Sequence, residues 1–185
     1  NTTGASNVAV GRNSLFANIS GTGNTAVGCE AANANTTGNS NVAIGNVALC
    51  SNTTASNNVA VGNLALRAST TGSSLTAIGS GALQANETGA QNTAVGLNSM
   101  NKNTTGASNV GVGVLALACN TTASNNTAVG EKALWKNTTG TLNVAVGHSA
   151  LTTNTTGTNN VAVGKDSLLD NTTGEQNVGI GDTAL

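Results

Sequence analysis

The first seventeen residues, Asn1–Ala17, read NTTGASNVAVGRNSLFA, and the remainder of the chain restates them. Glycine stands at Gly11, Gly28, Gly45, Gly62, Gly79, Gly96, Gly113, Gly130, Gly147, Gly164 and Gly181, each seventeen residues after the last. Copies therefore begin at residues 1, 18, 35, 52, 69, 86, 103, 120, 137, 154 and 171, and these eleven, the last two residues short, account for residues 1–185 without internal insertion or deletion. A fixed period of this size is the mark of a solenoid, in which each copy is one supersecondary unit stacked on the next. We number the positions within a copy one to seventeen.

The copies sample one structural environment eleven times, so the columns can be read for what that environment tolerates. Position eleven is invariant Gly, which predicts a turn with positive φ or one too tight for a Cβ. Position four is Gly except at Ala55 and Ala123, a less demanding turn. Positions eight and ten hold Val or Thr and Val or Ile respectively, a spacing that predicts a strand with both side chains on one face. Position nine is Ala in nine copies and Gly at Gly111 and Gly179. A site restricted to the smallest side chains predicts close packing, and hence a strand buried on both faces as in parallel sheets.

After the glycine, position fifteen is Leu except at Ala32 and Met100, and position fourteen is Ala or Ser. This pattern predicts a second short strand before the next NTTG turn. Positions twelve, thirteen, sixteen and seventeen vary and carry most of the charge, which marks an outer surface. Asn fills position one except at Ser69 and position seven except at Leu75. Stacked in parallel at about 4.8 Å, such residues form amide-to-amide ladders in which donors and acceptors are both satisfied. Both exceptions fall in the fifth copy, which points to mutual dependence of the two columns. Eleven such coils make a rod on the order of 50 Å long.

Charged residues are only 7% of the chain, proline is absent, and the aromatics are Phe16 and Trp135. The net charge of -1 offers no basic footprint for nucleic acid and no polybasic patch for a membrane. No apolar run reaches the ~18 residues of a spanning helix. Both ends fall within the repeat pattern without a polar cap, which gives the expectation of an excerpt from a longer fibre. Each coil also offers few apolar side chains against the cost of ordering seventeen residues. The expectation is therefore a homo-oligomer, a trimer first. Its inter-chain column is position nine: Ala9, Ala26, Ala43, Ala60, Ala77, Ala94, Gly111, Ala128, Ala145, Ala162 and Gly179.

The core Asn-Val-Ala-Val-Gly-x-x-Ala/Ser, as in Asn7–Ser14 and Asn41–Ala48, resembles the YadA-like head repeat of trimeric autotransporter adhesins. That repeat reads roughly N-S-V-A-I-G-x-x-S-x-A-x-G. Versions with an N-T-T-G insert are similar to repeats of phage tail fibres and of surface proteins of marine bacteria. The resemblance covers all eleven copies. It implies an all-β, left-handed parallel β-roll with three chains per rod, Val and Ile inside each roll and the Ala side towards the trimer axis. The present repeat is longer than the family's and carries Leu at position fifteen, and residues 1–185 show no neck, stalk or membrane anchor.

Catalytic chemistry has little to build on. His148 is the only histidine, and no nucleophile or carboxylate column accompanies it. The acidic group Asp166, Asp170, Glu175 and Asp182, with Lys165, lies at scattered phases and reads as a solvated face rather than a calcium roll. Cys29, Cys50 and Cys119 share no column and no metal-ligand spacing, so they read as unpaired small residues or occasional cross-chain contacts. Trp135 beside Lys132 and Lys136 reads as an exposed aromatic, with a carbohydrate or partner contact as its functional alternative. Ten copies carry N-x-[ST] at position one, read as turn and ladder chemistry because glycans about 4.8 Å apart would crowd.

The expected function is thus a non-catalytic structural or adhesive fibre segment, extracellular, with no cofactor and no metal. It would project or present a binding tip, with a host-surface glycan or protein as its conceivable target. A phage tail-fibre shaft is one alternative. The other is an ice- or glycan-binding solenoid built on the Thr columns at positions two and three.

Overall fold

The computed structural model describes residues 1–185. Positions eight to ten of each copy form a three-residue strand, from β1 (Val8–Val10) to β11 (Val178–Ile180). All eleven lie parallel in one sheet in sequence order. The register is unshifted along the whole stack: Val8 pairs with Thr25 and Ala9 with Ala26 at one end, Val161 with Val178 and Ala162 with Gly179 at the other. The chain is a parallel β-solenoid of about ten turns, about seventeen residues in each, and contains no helix.

Four backbone reversals per copy close each coil. The position-eleven glycines have φ of 122° to 138°, a range L side chains rarely adopt, so their invariance is conformational. Positions six, thirteen and fifteen are left-handed in every copy; in the fourth they are Asn57 at 62°, Leu64 at 60° and Leu66 at 51°. The expected second strand is therefore absent. A strand needs consecutive extended residues, whereas positions twelve to seventeen form a run of turns with left-handed residues at thirteen and fifteen. Their amides nevertheless bond from coil to coil, as Leu49 N–H does to Ala65 O at 2.9 Å.

With turns rather than a strand opposite the sheet, the interior is filled by the Ala of positions nine and fourteen and the Leu of position fifteen. This inverts the expected faces. The position-nine column does not lie between chains: Ala26, Ala43, Ala60, Ala77, Ala94, Ala128, Ala145 and Ala162 have no exposed surface within a single chain. Gly111 and Gly179 are buried with them, and only Ala9, in the first coil, is exposed. These methyls belong to one core cluster with the Ala of position fourteen and the Leu of position fifteen, including Leu49, Leu66, Leu83, Leu117, Leu134 and Leu151. Val and Ile at positions eight and ten, expected inside the roll, point outward.

One coupled substitution demonstrates that position nine packs within the chain. Its two glycines each follow a serine at position fourteen of the preceding copy, Ser99 before Gly111 and Ser167 before Gly179. Ser99 Oγ donates to Gly111 O at 2.8 Å and Ser167 Oγ to Gly179 O at 2.9 Å. A Cβ on Gly111 would stand 2.8 Å from Ser99 Oγ and 3.1 Å from Met100 Cγ. The missing methyl makes room for the hydroxyl. Ser14, which precedes Ala26, instead donates to Gly11 O in its own turn.

Both Asn ladders form. At position one, Nδ2 donates to Oδ1 of the preceding coil and to the position-four carbonyl of its own: Asn137 reaches Asn120 Oδ1 at 3.0 Å and Gly140 O at 2.9 Å. At position seven, Oδ1 accepts the backbone N–H of the next coil's Asn, and Nδ2 donates to the next coil's position-four carbonyl, as Asn126 does to Gly140 O at 2.9 Å. The two columns thus converge on the same carbonyls. Buried amides in such numbers are tolerated because their donors and acceptors are paired along the stack.

Left-handed backbone costs an ordinary residue about 1–2 kcal/mol, and β-branched side chains fit it worst. Val47, at φ 58°, is such a case, with its N–H donating to Cys29 O at 2.9 Å. Replacing Val47 by Asn keeps that bond and suits the conformation. Thermal unfolding of the variant is expected to show a gain of about 1 kcal/mol; a loss would mean that the Val47 side chain contributes more than the strain costs.

Candidate interaction surface

Strand geometry sends positions eight and ten to the outer face of the sheet, and no strand residue is charged. Column ten is exposed at Ile44, Ile78, Val129, Val146 and Val163, at 36–41% in the interior coils, and half-buried at Val27, Val61, Val95 and Val112. Column eight is half-buried throughout the interior coils. At about 4.8 Å per coil and about 7 Å between columns, with flanking side-chain width, the two make a strip on the order of 500 Å². That matches the largest apolar patches of monomeric proteins, which commonly mark contact sites.

The two columns differ in what they accept. Column eight is Thr in four copies, Thr25, Thr76, Thr93 and Thr127, whereas column ten is Val or Ile in all eleven. Thr suits an exposed strand as well as Val does. Strand propensity therefore does not explain its exclusion from the more exposed column. Two residues on, position twelve is open to Arg12, Glu131, His148, Lys165 and Asp182. This contrast was present in the sequence, but it carries meaning only once column ten is known to face outward.

The remaining residues of interest are dispersed over the rod. His148 Nδ1 lies 3.7 Å from Asp166 Oδ1, an ion pair only when the imidazole is protonated, and Lys165 Nζ lies 3.2 Å from Asp166 Oδ2. Asp166, through a hydrogen bond and its charge, holds the Lys165 ammonium above the usual lysine range, and Asp182 adds to this. Asp170 and Glu175 join no ion pair with this group. Cys29, Cys50 and Cys119 are free and half-buried; Cys29 Sγ accepts from Arg12 Nη2 at 3.3 Å. Lys136 Nζ sits 5.7 Å from the Trp135 ring centroid. No group of His, Cys, Asp and Glu is arranged to hold a metal ion.

The sequon asparagines of the interior coils face the wrong way for glycan attachment. Asn35, Asn52, Asn103, Asn120, Asn137 and Asn154 have no exposed surface, and their Nδ2 groups are committed to the ladder. Thr hydroxyls at position two are also committed, donating to the position-two carbonyl of the next coil, as Thr36 does to Thr53 O at 2.9 Å. Those at position three are exposed.

Comparison with protein-family models, with curated proteins and with solved structures yields no match. No helix is long and apolar enough to cross a membrane.

Proposed function

We propose that the chain is a non-catalytic segment of an extracellular fibre, a cell-surface appendage or virion shaft, that assembles with copies of itself. The observation that carries this reading is column ten, apolar in every copy although a single chain leaves it open to water. Burying it restores the ordinary relation between side-chain type and environment. An identical chain offers the same column at the same coil spacing, so parallel copies in register bring Val and Ile against Val and Ile along the full rod. Three left-handed coils around one axis, with column ten towards the axis and column eight at the rim, agree with the resemblance of the repeat to trimeric adhesin heads. The variable positions twelve, thirteen, sixteen and seventeen then face outward, where a host glycan or protein would be met. A cofactor has no part in this function.

Sedimentation velocity tests the assembly. The parent is expected to sediment at three times its 17.9 kDa chain mass, and the double variant Ile78→Lys, Val95→Lys as a monomer with unchanged β circular dichroism. A parent that remains monomeric at every concentration overturns the reading. A second reading, recognition of ice or a glycan, is favoured by the exposed hydroxyl column at position three, which is Thr or Ser in all eleven copies. Inhibition of ice recrystallisation by a monomeric parent would select it.

A further inference from the structure

The fifth copy breaks both ladders at once. Ser69 replaces Asn at position one and Leu75 replaces Asn at position seven, both fully buried. Around Ser69 the bonding is incomplete. Asn52 Oδ1, which elsewhere would accept from the next rung, has no partner, and neither has Ser69 Oγ. Gly72 O accepts only from Asn58 Nδ2 at 3.0 Å, where interior position-four carbonyls in intact stretches accept twice, as Gly38 O does from Asn24 and Asn35. Asn86 Nδ2 keeps its bond to Gly89 O at 2.9 Å and lacks the rung before it.

An Asn rung at this point would donate twice, to Asn52 Oδ1 and to Gly72 O. Serine is shorter by the carboxamide carbon and one polar atom, and its single hydroxyl cannot make both bonds. A water molecule can: it has two donors, and its oxygen accepts from a hydroxyl. The carboxamide that Ser69 lacks is on the scale of the about 30 Å³ a water occupies in the liquid, and a water site needs two to four polar partners. Leu75, larger than the Asn it replaces, takes up part of the room that serine frees: its Cδ1 stands 3.2 Å from an ideal Cβ on Gly72, on the side where position-one Oδ1 atoms stand in other coils. It offers no hydrogen bond that would extend a chain of waters.

We propose that one internal water completes the position-one ladder, donating to Asn52 Oδ1 and Gly72 O and accepting from Ser69 Oγ. The fifth rung is then a serine–water pair that takes over both donor roles of the missing carboxamide, towards Asn52 Oδ1 and Gly72 O.

Magnetic relaxation dispersion of water oxygen-17 counts long-lived internal waters in the assembled protein. The parent is compared with the double variant Ser69→Asn, Leu75→Asn, which restores both rungs. The expected result is one long-lived water more in the parent, with crystallographic density about 2.8 Å from Asn52 Oδ1 and from Ser69 Oγ. Equal counts, or a crystal structure of the parent in which Ser69 Oγ itself bonds Asn52 Oδ1, overturn the proposal. Should the double variant fail to fold, the parent crystal structure decides alone: density at that place supports the water and its absence refutes it.

Discussion

Replacing Asn137 by Asp is expected to cost the rod at least about 4 kcal/mol near neutral pH, the scale of an unpaired buried charge. The residue has no exposed surface, and its Nδ2 donates to Asn120 Oδ1 at 3.0 Å and Gly140 O at 2.9 Å. A carboxylate would set an anionic oxygen against two acceptors while its other oxygen still accepts from Asn154 Nδ2. Burial and these neighbours raise the folded-state pKa of the new acid above its unfolded value of about 3.9. The sign of the pH dependence follows: the folded state binds the proton more tightly, so the variant recovers stability as pH falls and loses it as pH rises through the raised pKa. Urea midpoints measured near neutrality and below about pH 4 should converge towards the parent only at the acid end. A variant equally stable at both would mean that the ladder amides are not the coupled elements described.

Gly96→Ala is expected to cost about 4 kcal/mol, combining backbone strain with overpacking. Gly96 has φ 133°, and a Cβ there would stand 2.5 Å from Gly113 O and 2.7 Å from the Gly113 carbonyl carbon. Both atoms are backbone of the next coil and cannot turn aside. Gly23, at position six, is the control: its φ of 65° is ordinary left-handed backbone, and the nearest atom to a new Cβ is Ser40 Oγ at 3.8 Å. Gly23→Asn should therefore change the melting temperature little. If the two substitutions cost the same, coil-to-coil backbone contact is not what fixes position eleven.

Much of this solenoid is legible in the seventeen-residue unit. The period, the strand at Val-Ala-Val, the glycine turn and the Asn ladders follow from chemistry that each copy repeats. The mutual dependence of the Asn columns, hinted at by Ser69 and Leu75, has its cause in the position-four carbonyls that both columns use. What misled was volume. Small residues at position nine read as a contact between chains, yet they line an interior closed by turns, and the β-branched pair beside them faces out. Those turns were hidden because the left-handed site at position fifteen is held by Leu, Ala32 or Met100, and the one at position thirteen by glycine or asparagine only at Asn13, Gly81 and Asn98. The same inversion moves the candidate interface from the alanines to column ten.

Each coil makes the same bonds above and below, in one register and with no insertion. A duplication or deletion of seventeen residues, wherever it begins, leaves the phase of the remaining chain intact. Among interior coils it joins surfaces that already fit. Reach is therefore a quantity that can change in steps of about 4.8 Å without a new fold having to be found. The exceptions are the residues that fit a particular neighbour: Ser69 and Leu75 in the fifth copy, Ser99 against Gly111 and Ser167 against Gly179.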